Sequence, residues 1–264
     1  MRGYSFETIF SILISSGFVG ANTVNSMLNS YIGYDQAEPG GKFLKIGVGV
    51  LQRSDDNPYN SFRLYDINNP GEWKIKKKTR EVQFIHILKD TDYSYKYIKT
   101  VKLIKGSPEM HLEHTLSNTG NKTIETTVYN HNFLIIDQEL TGPNYKITFP
   151  FEMSGKGQGI GEIAIFMGNQ IQFLREMSKS ERIYCGSITG LRGTLNDYNF
   201  TVENLRTGTG VRISCDRPLI RLVFWCSPVT LYPEPYINIK IEPGESFRWI
   251  VFYQFYMSEV QGME

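Results

Sequence analysis

The sequence predicts an all-β fold, a large antiparallel β-sandwich. Three observations predict it. Short runs of alternating apolar and polar residues recur along the chain with turn chemistry between them. Aromatic side chains that suit a pleated, half-buried surface are plentiful, with 16 tyrosines and 16 phenylalanines in 264 residues. No stretch carries an apolar stripe at helical spacing for long enough to make a helix of real length.

Taken in order, residues 22–42 are rich in Asn, Ser and Gly and end in Glu38-Pro39-Gly40-Gly41, which reads as loop. Residues 42–51 alternate and read as one strand, and 53–59, with two Asp, an Asn and a Pro, as another loop. Asn68-Asn69-Pro70-Gly71 is a turn, because Pro fixes φ and Gly accepts positive φ. Strands follow at 73–78, 81–88 and 93–104. On the last of these Tyr93, Tyr95, Tyr97, Lys99, Val101 and Leu103 share one face. Gly106-Ser107-Pro108 breaks the run, and the strand at 109–117 puts Met110, Leu112, His114 and Leu116 on one face. Asn118-Thr119-Gly120-Asn121 makes a hairpin turn into 126–134, a β-branched run that ends in Asn130-His131 and resumes at once with apolar residues.

Beyond that, 155–161 is Gly-rich and reads as a flexible loop, and 170–180 as a short helix. Strands return at 197–204, 211–214 and 219–226. A loop at 227–235 precedes a strand at 236–241, and the turn Glu242-Pro243-Gly244-Glu245 leads into a closing strand at 247–256. With no internal repeat and no linker, the chain reads as a single sandwich domain over 1–264, its first forty residues an atypical segment of loop plus edge strand.

Bulk composition narrows the function. Apolar residues make up 41% and charged residues 21%, enough for a sizeable core under a solvated surface. A net charge of +1 gives no reason to expect a nucleic acid as partner. The apolar run Ile9 to Gly20 is too short for a membrane span, and Glu7 beside it argues against a signal peptide and for an opening strand. Cys185, Cys215 and Cys226 match no metal or redox spacing and read as buried free thiols, which favours the cytoplasm over a periplasmic or secreted location.

Candidates for chemistry are few. His111 and His114 form an HxxH, but three residues apart on a strand they point to opposite faces, so no shared metal is expected. His86 shares a face with Val82 and Phe84 and reads as structural. There is no GxSxG and no phosphate loop in a strand-to-helix setting. What remains is Asn130-His131, where strand gives way to irregular chain, and Glu234 in Leu231-Tyr232-Pro233-Glu234-Pro235-Tyr236. The prolines stiffen the backbone around Glu234, and burial between aromatic rings would raise its pKa toward a useful general-base value.

Two stretches carry a resemblance. One is Leu112-Glu113-His114-Thr115-Leu116-Ser117-Asn118-Thr119-Gly120, followed by Val128-Tyr129-Asn130-His131-Asn132-Phe133. The other runs from Trp225 to Tyr236, with Glu234 before a closing Pro-Gly-Glu turn and strand. Together they resemble the galactose mutarotase-like superfamily and its aldose 1-epimerases, over about residues 40–256. The resemblance implies a β-sandwich with a sugar cleft and no metal or organic cofactor. It implies that Glu234 removes the proton of the anomeric hydroxyl while a histidine, His131, protonates the ring oxygen of a monosaccharide or other reducing sugar. Asn130, His114, Tyr236 and an arginine, Arg53 or Arg63, are the substrate-binding candidates. Typical members have a second histidine downstream that serves as the acid, and this sequence has none after His131. His131 then does the protonation itself, or Tyr184 or Lys156 substitutes. The alternative is a non-catalytic carbohydrate-binding sandwich that has lost that histidine.

Overall fold

The computed structural model describes residues 31–60, 63–90 and 92–258. The apolar run at 9–20 lies outside them. Among the described residues the strands, numbered in chain order, form three sheets with every neighbouring pair antiparallel.

The largest sheet runs, in spatial order, β10 (Ala164–Met167), β11 (Gln170–Phe173), β9 (Tyr145–Thr148), β13 (Asn199–Asn204), β14 (Thr209–Cys215), β17 (Ser246–Met257), β7 (Glu109–Asn118), β6 (Tyr95–Leu103), β5 (Glu81–Leu88) and β4 (Glu72–Lys78). A second sheet runs β12 (Ile183–Ile188), β15 (Arg221–Ser227), β16 (Thr230–Ile241) and β8 (Ile124–Tyr129). A small third sheet holds β1 (Lys42–Lys45), β2 (Gly49–Gln52) and β3 (Ile67–Asn69). This is an all-β sandwich, and no helix among the described residues is long and apolar enough to cross a membrane.

Period-two alternation builds the core. On β7 Met110, Leu112, His114 and Leu116 are buried while their neighbours stay half-exposed. Leu222, Phe224 and Cys226 on β15, with Leu231, Ile237, Ile239 and Ile241 on β16, join one cluster with Ile147, Val202, Ile213 and Val251 of the large sheet. Each such aliphatic side chain contributes about 2 kcal/mol by leaving water. All three cysteines are buried and free. The exposed edge strand β4 carries Lys74, Lys76, Lys77 and Lys78, charges that oppose pairing with another chain.

Four expectations change. Residues 42–51 are a hairpin and not one strand, because Gly47 and Gly49 adopt φ of 80° and 135° and turn β1 back on β2. Residues 170–180 begin as β11, with Ile171 and Phe173 buried and Gln170 and Gln172 half-exposed, so period two wins over the short helical pattern. The Gly-rich 155–161 segment lies along β12, with Gln158 bridged to Tyr184 and Ser154 to Thr189. A Cβ on Gly157 would fall 2.0 Å from the Tyr184 carbonyl oxygen, so glycine is what permits that close approach. Most consequential, 227–235 is not a loop: β16 begins at Thr230 and includes both prolines.

Candidate active site

Two prolines sit inside a central strand because of which way its donors point. The Leu231 and Leu134 backbones exchange both hydrogen bonds, 3.3 and 3.0 Å. Alternation then directs the nitrogens of Pro233 and Pro235 toward the same neighbour, the segment after β8. They therefore delete donors only there, and the β15 side of the ladder stays intact from Arg221↔Tyr236 to Ser227↔Thr230. The segment Asn130 to Phe133 leaves the ladder as a result, and Asn132 and Phe133 donate instead to Asn130 and His131 carbonyls two residues back.

The register nevertheless holds. Tyr129 pairs with Tyr236 at one end and Leu134 with Leu231 at the other, so His131 stands opposite Glu234 and Phe133 opposite Tyr232. Three cross-strand pairs thus line one face. The Tyr129 and Tyr236 rings stack at 4.5 Å, His131 Nε2 lies 3.5 Å from Glu234 Oε1, and Phe133 meets Tyr232 at 4.6 Å. The imidazole packs against two rings that also touch each other, Phe133 at 4.1 Å and Tyr232 at 4.3 Å. Trp225 stacks on Tyr232 at 4.3 Å, with the Arg182 guanidinium beyond it.

His131 and Glu234 are 9% and 8% exposed, and this decides their protonation. Burial pushes the Glu234 carboxyl up to about 7, against smaller downward pulls from the Tyr236 hydroxyl, which donates to it at 3.4 Å, and from the Arg221 charge. Burial pushes His131 down to about 4. The pair therefore keeps a single proton from about pH 4 to about 7. The Nδ1 atom of His131 has no hydrogen-bond partner among the described residues.

The structure gathers His131, Glu234 and Tyr236 and takes the other candidates elsewhere. Asn130 points into the sandwich, where its amide donates to the Tyr253 hydroxyl at 3.4 Å and that hydroxyl donates to Asn132 Oδ1 at 2.6 Å. These bonds tie the turn carrying His131 to β17 of the opposite sheet. His114 is buried on β7, bonded to the Tyr97 hydroxyl at 2.8 Å and stacked on Trp249 at 4.5 Å. Arg53 donates to the carbonyls of Tyr34, Ala37 and Asp55, and Arg63 pairs with Asp55 at 2.6 Å, so both brace the loops around the small sheet. His111 and His114 occupy opposite faces of β7. Tyr184 lies two strands from Glu234, in the row Tyr184–Trp225–Tyr232, and Lys156 lies in the strip beside β12. The residues missed in the sequence are Arg221, over the Tyr236 ring at 5.0 Å, and the two rings packed on the imidazole, Phe133 and Tyr232. The matching alternations 129/131/133 and 232/234/236 were the signal that could have found the rings.

The two groups touch directly and do not stand across a sugar-wide gap. A touching acid–base pair suits a target whose two reacting atoms are bonded to one carbon. It can pass a proton to one atom while taking a proton from the other.

No protein-family model and no curated protein sequence matches the chain. Solved structures do. An aldose epimerase homologue from C. elegans is 11% identical, with 96% of this chain and 87% of that one covered at a TM-score of 0.51. A galactose mutarotase-like protein from Clostridium acetobutylicum is 12% identical, with 84% and 77% covered at 0.50. A protein from Synechocystis sp. PCC 6803 is 12% identical, with 88% and 78% covered at 0.50. At these identities what is shared is the fold, and this chain has the fold of the galactose mutarotase-like β-sandwiches.

Proposed function

We propose that the protein interconverts the α and β anomers of a free sugar, with Glu234 and His131 as the acid–base pair. The observation that carries this reading is the buried contact between Glu234 and His131, 3.5 Å, on a face lined by aromatic rings. A cyclic sugar's anomeric hydroxyl and ring oxygen share one carbon, so adjacent proton acceptor and donor groups serve both atoms at once. Aromatic rings suit the C–H faces of a sugar.

The single proton rests on Glu234, the more basic of the two, and first passes to His131 across the 3.5 Å contact. The Glu234 carboxylate then takes the proton of the anomeric hydroxyl as the imidazolium gives its proton to the ring oxygen. The bond between C1 and the ring oxygen breaks and a carbonyl forms at C1. The proton of the pair now sits on Glu234. After rotation about C1–C2, the same transfer run backwards closes the ring on the other face, and the proton left on His131 returns to Glu234. Tyr236 steadies the carboxylate, and the Phe133 and Tyr232 rings pack against the imidazole.

Polarimetry of freshly dissolved α-D-glucose and α-D-galactose, with and without protein, tests the proposal. The expected result is faster approach to the equilibrium rotation for at least one sugar. The second reading, a sugar-binding sandwich without turnover, is favoured by the near-complete burial of both groups. It predicts measurable sugar binding with an unchanged rate.

A further inference from the structure

On the outer face of the large sheet lies a cleft of about 520 Å³ that the acid–base pair does not use. Its floor is ordered by strand pairing. Gln170, Thr148, Thr201, Arg212 and Gln254 form one unbroken row across β11, β9, β13, β14 and β17. At about 4.8 Å between strands the row is roughly 19 Å long. All five side chains carry hydrogen-bonding groups, and only Arg212 is charged.

The adjoining row reads Gln172, Lys146, Glu203, Gly210 and Tyr256. Lys146 and Glu203 neutralise one another at 3.1 Å. Gly210 has a particular task. A Cβ there would fall 2.6 Å from the Tyr256 ring, so its absence lets that ring lie down on the sheet. The Tyr256 hydroxyl lies beside Thr201 and Glu203. The ring lies close to Gly210 and lines the cleft.

From these features we infer that this cleft is a second carbohydrate site, taking several units of a neutral glycan chain. Amide, hydroxyl and guanidinium groups in a row match vicinal hydroxyls that both give and accept hydrogen bonds. A flat aromatic ring beside them suits the apolar face of a pyranose. The internal Lys146–Glu203 pair leaves little charge to attract an anion. The length of the row exceeds a single ring, so the ligand is an oligosaccharide or polysaccharide. The site lies on the sheet opposite the one that carries Glu234, and it stands whether or not that pair turns over a sugar.

Native gel electrophoresis of the full-length protein through gels containing dextran, galactomannan or xyloglucan tests it. The wild type and Glu234→Gln should be retarded equally by at least one of these polymers. The double variant Arg212→Ala/Gln254→Ala should lose at least fivefold in apparent affinity, and Gln170→Ala, at the far end of the row, should weaken binding in the same gel. Both altered side chains of the double variant are exposed, so an unchanged thermal midpoint will accompany that loss. Retardation by none of the three polymers would overturn the inference. So would undiminished retardation of the double variant, or loss of retardation in Glu234→Gln alone.

Discussion

His131 and Glu234 stand opposite one another on two antiparallel segments, Nε2 3.5 Å from Oε1, at the point where Pro233 and Pro235 remove the backbone donors between those segments. The strand supplies the register, the prolines open the ladder, and the side chains meet. Burial then sets their protonation in opposite directions.

That opposition gives a pH dependence. Below about pH 4 the pair holds two protons and lacks a base, and above about pH 7 it holds none and lacks an acid. The rate of anomer exchange should be highest between these values and fall tenfold per pH unit well above 7. A rate that keeps rising from pH 7 to 9 would contradict a shared single proton.

Stability should follow Glu234 as well. Its carboxyl titrates near 7 in the folded chain against an ordinary 4.5, so it binds a proton more readily folded than unfolded. The stability this contributes is full below about 4.5 and is lost as pH rises through 7. The loss is on the order of 3 kcal/mol. In urea unfolding, Glu234→Gln should therefore gain on the wild type between pH 5 and pH 8. Parallel pH curves for the two proteins would mean that the carboxyl ionises freely in the folded state.

The aromatic packing on His131 is testable by titration. Phe133→Ala exposes one face of the imidazole to water, so the His131 pKa should rise from about 4 toward 6.5. NMR titration of the imidazole Cε1 proton reads this directly. A midpoint that stays near 4 would show that Phe133 contributes nothing to its burial.

Tyr253→Phe removes the hydroxyl that ties Asn130 and Asn132 to the opposite sheet. Two buried amides lose a partner, at a cost of about 1–3 kcal/mol in stability. Because those amides flank His131, the exchange rate should fall too. Normal rate with normal stability would mean that the turn is held by other contacts.

The sheets were legible where alternation was uninterrupted. The strand at 109–117 was readable within a residue because β7 buries every second side chain, and 81–88 matches β5 with its buried residues gathered at Ile85, His86 and Leu88. The sequence misled where one residue type has two uses. Glycine at 47 and 49 looked like part of a strand and makes its turn, and glycine at 155 and 157 looked like slack and permits close packing. Proline misled most. Pro233 and Pro235 argued for a loop, but a strand tolerates them when both nitrogens face a neighbour that has left the ladder. The pairing of His131 with Glu234 depends on a register between segments about a hundred residues apart. No local pattern fixes that register. It is set by the backbone bridge between Leu134 and Leu231 and by the stacking of Tyr129 on Tyr236.

The most direct measurement is the polarimetric rate of anomer exchange, at pH 6, for the wild type and Glu234→Gln side by side with the sugar that responds best. The wild type should accelerate the exchange and the variant should lose at least a hundredfold, the lower end of what general acid–base catalysis contributes. Equal rates for the two proteins, or a wild-type rate no faster than buffer alone, would contradict the proposal.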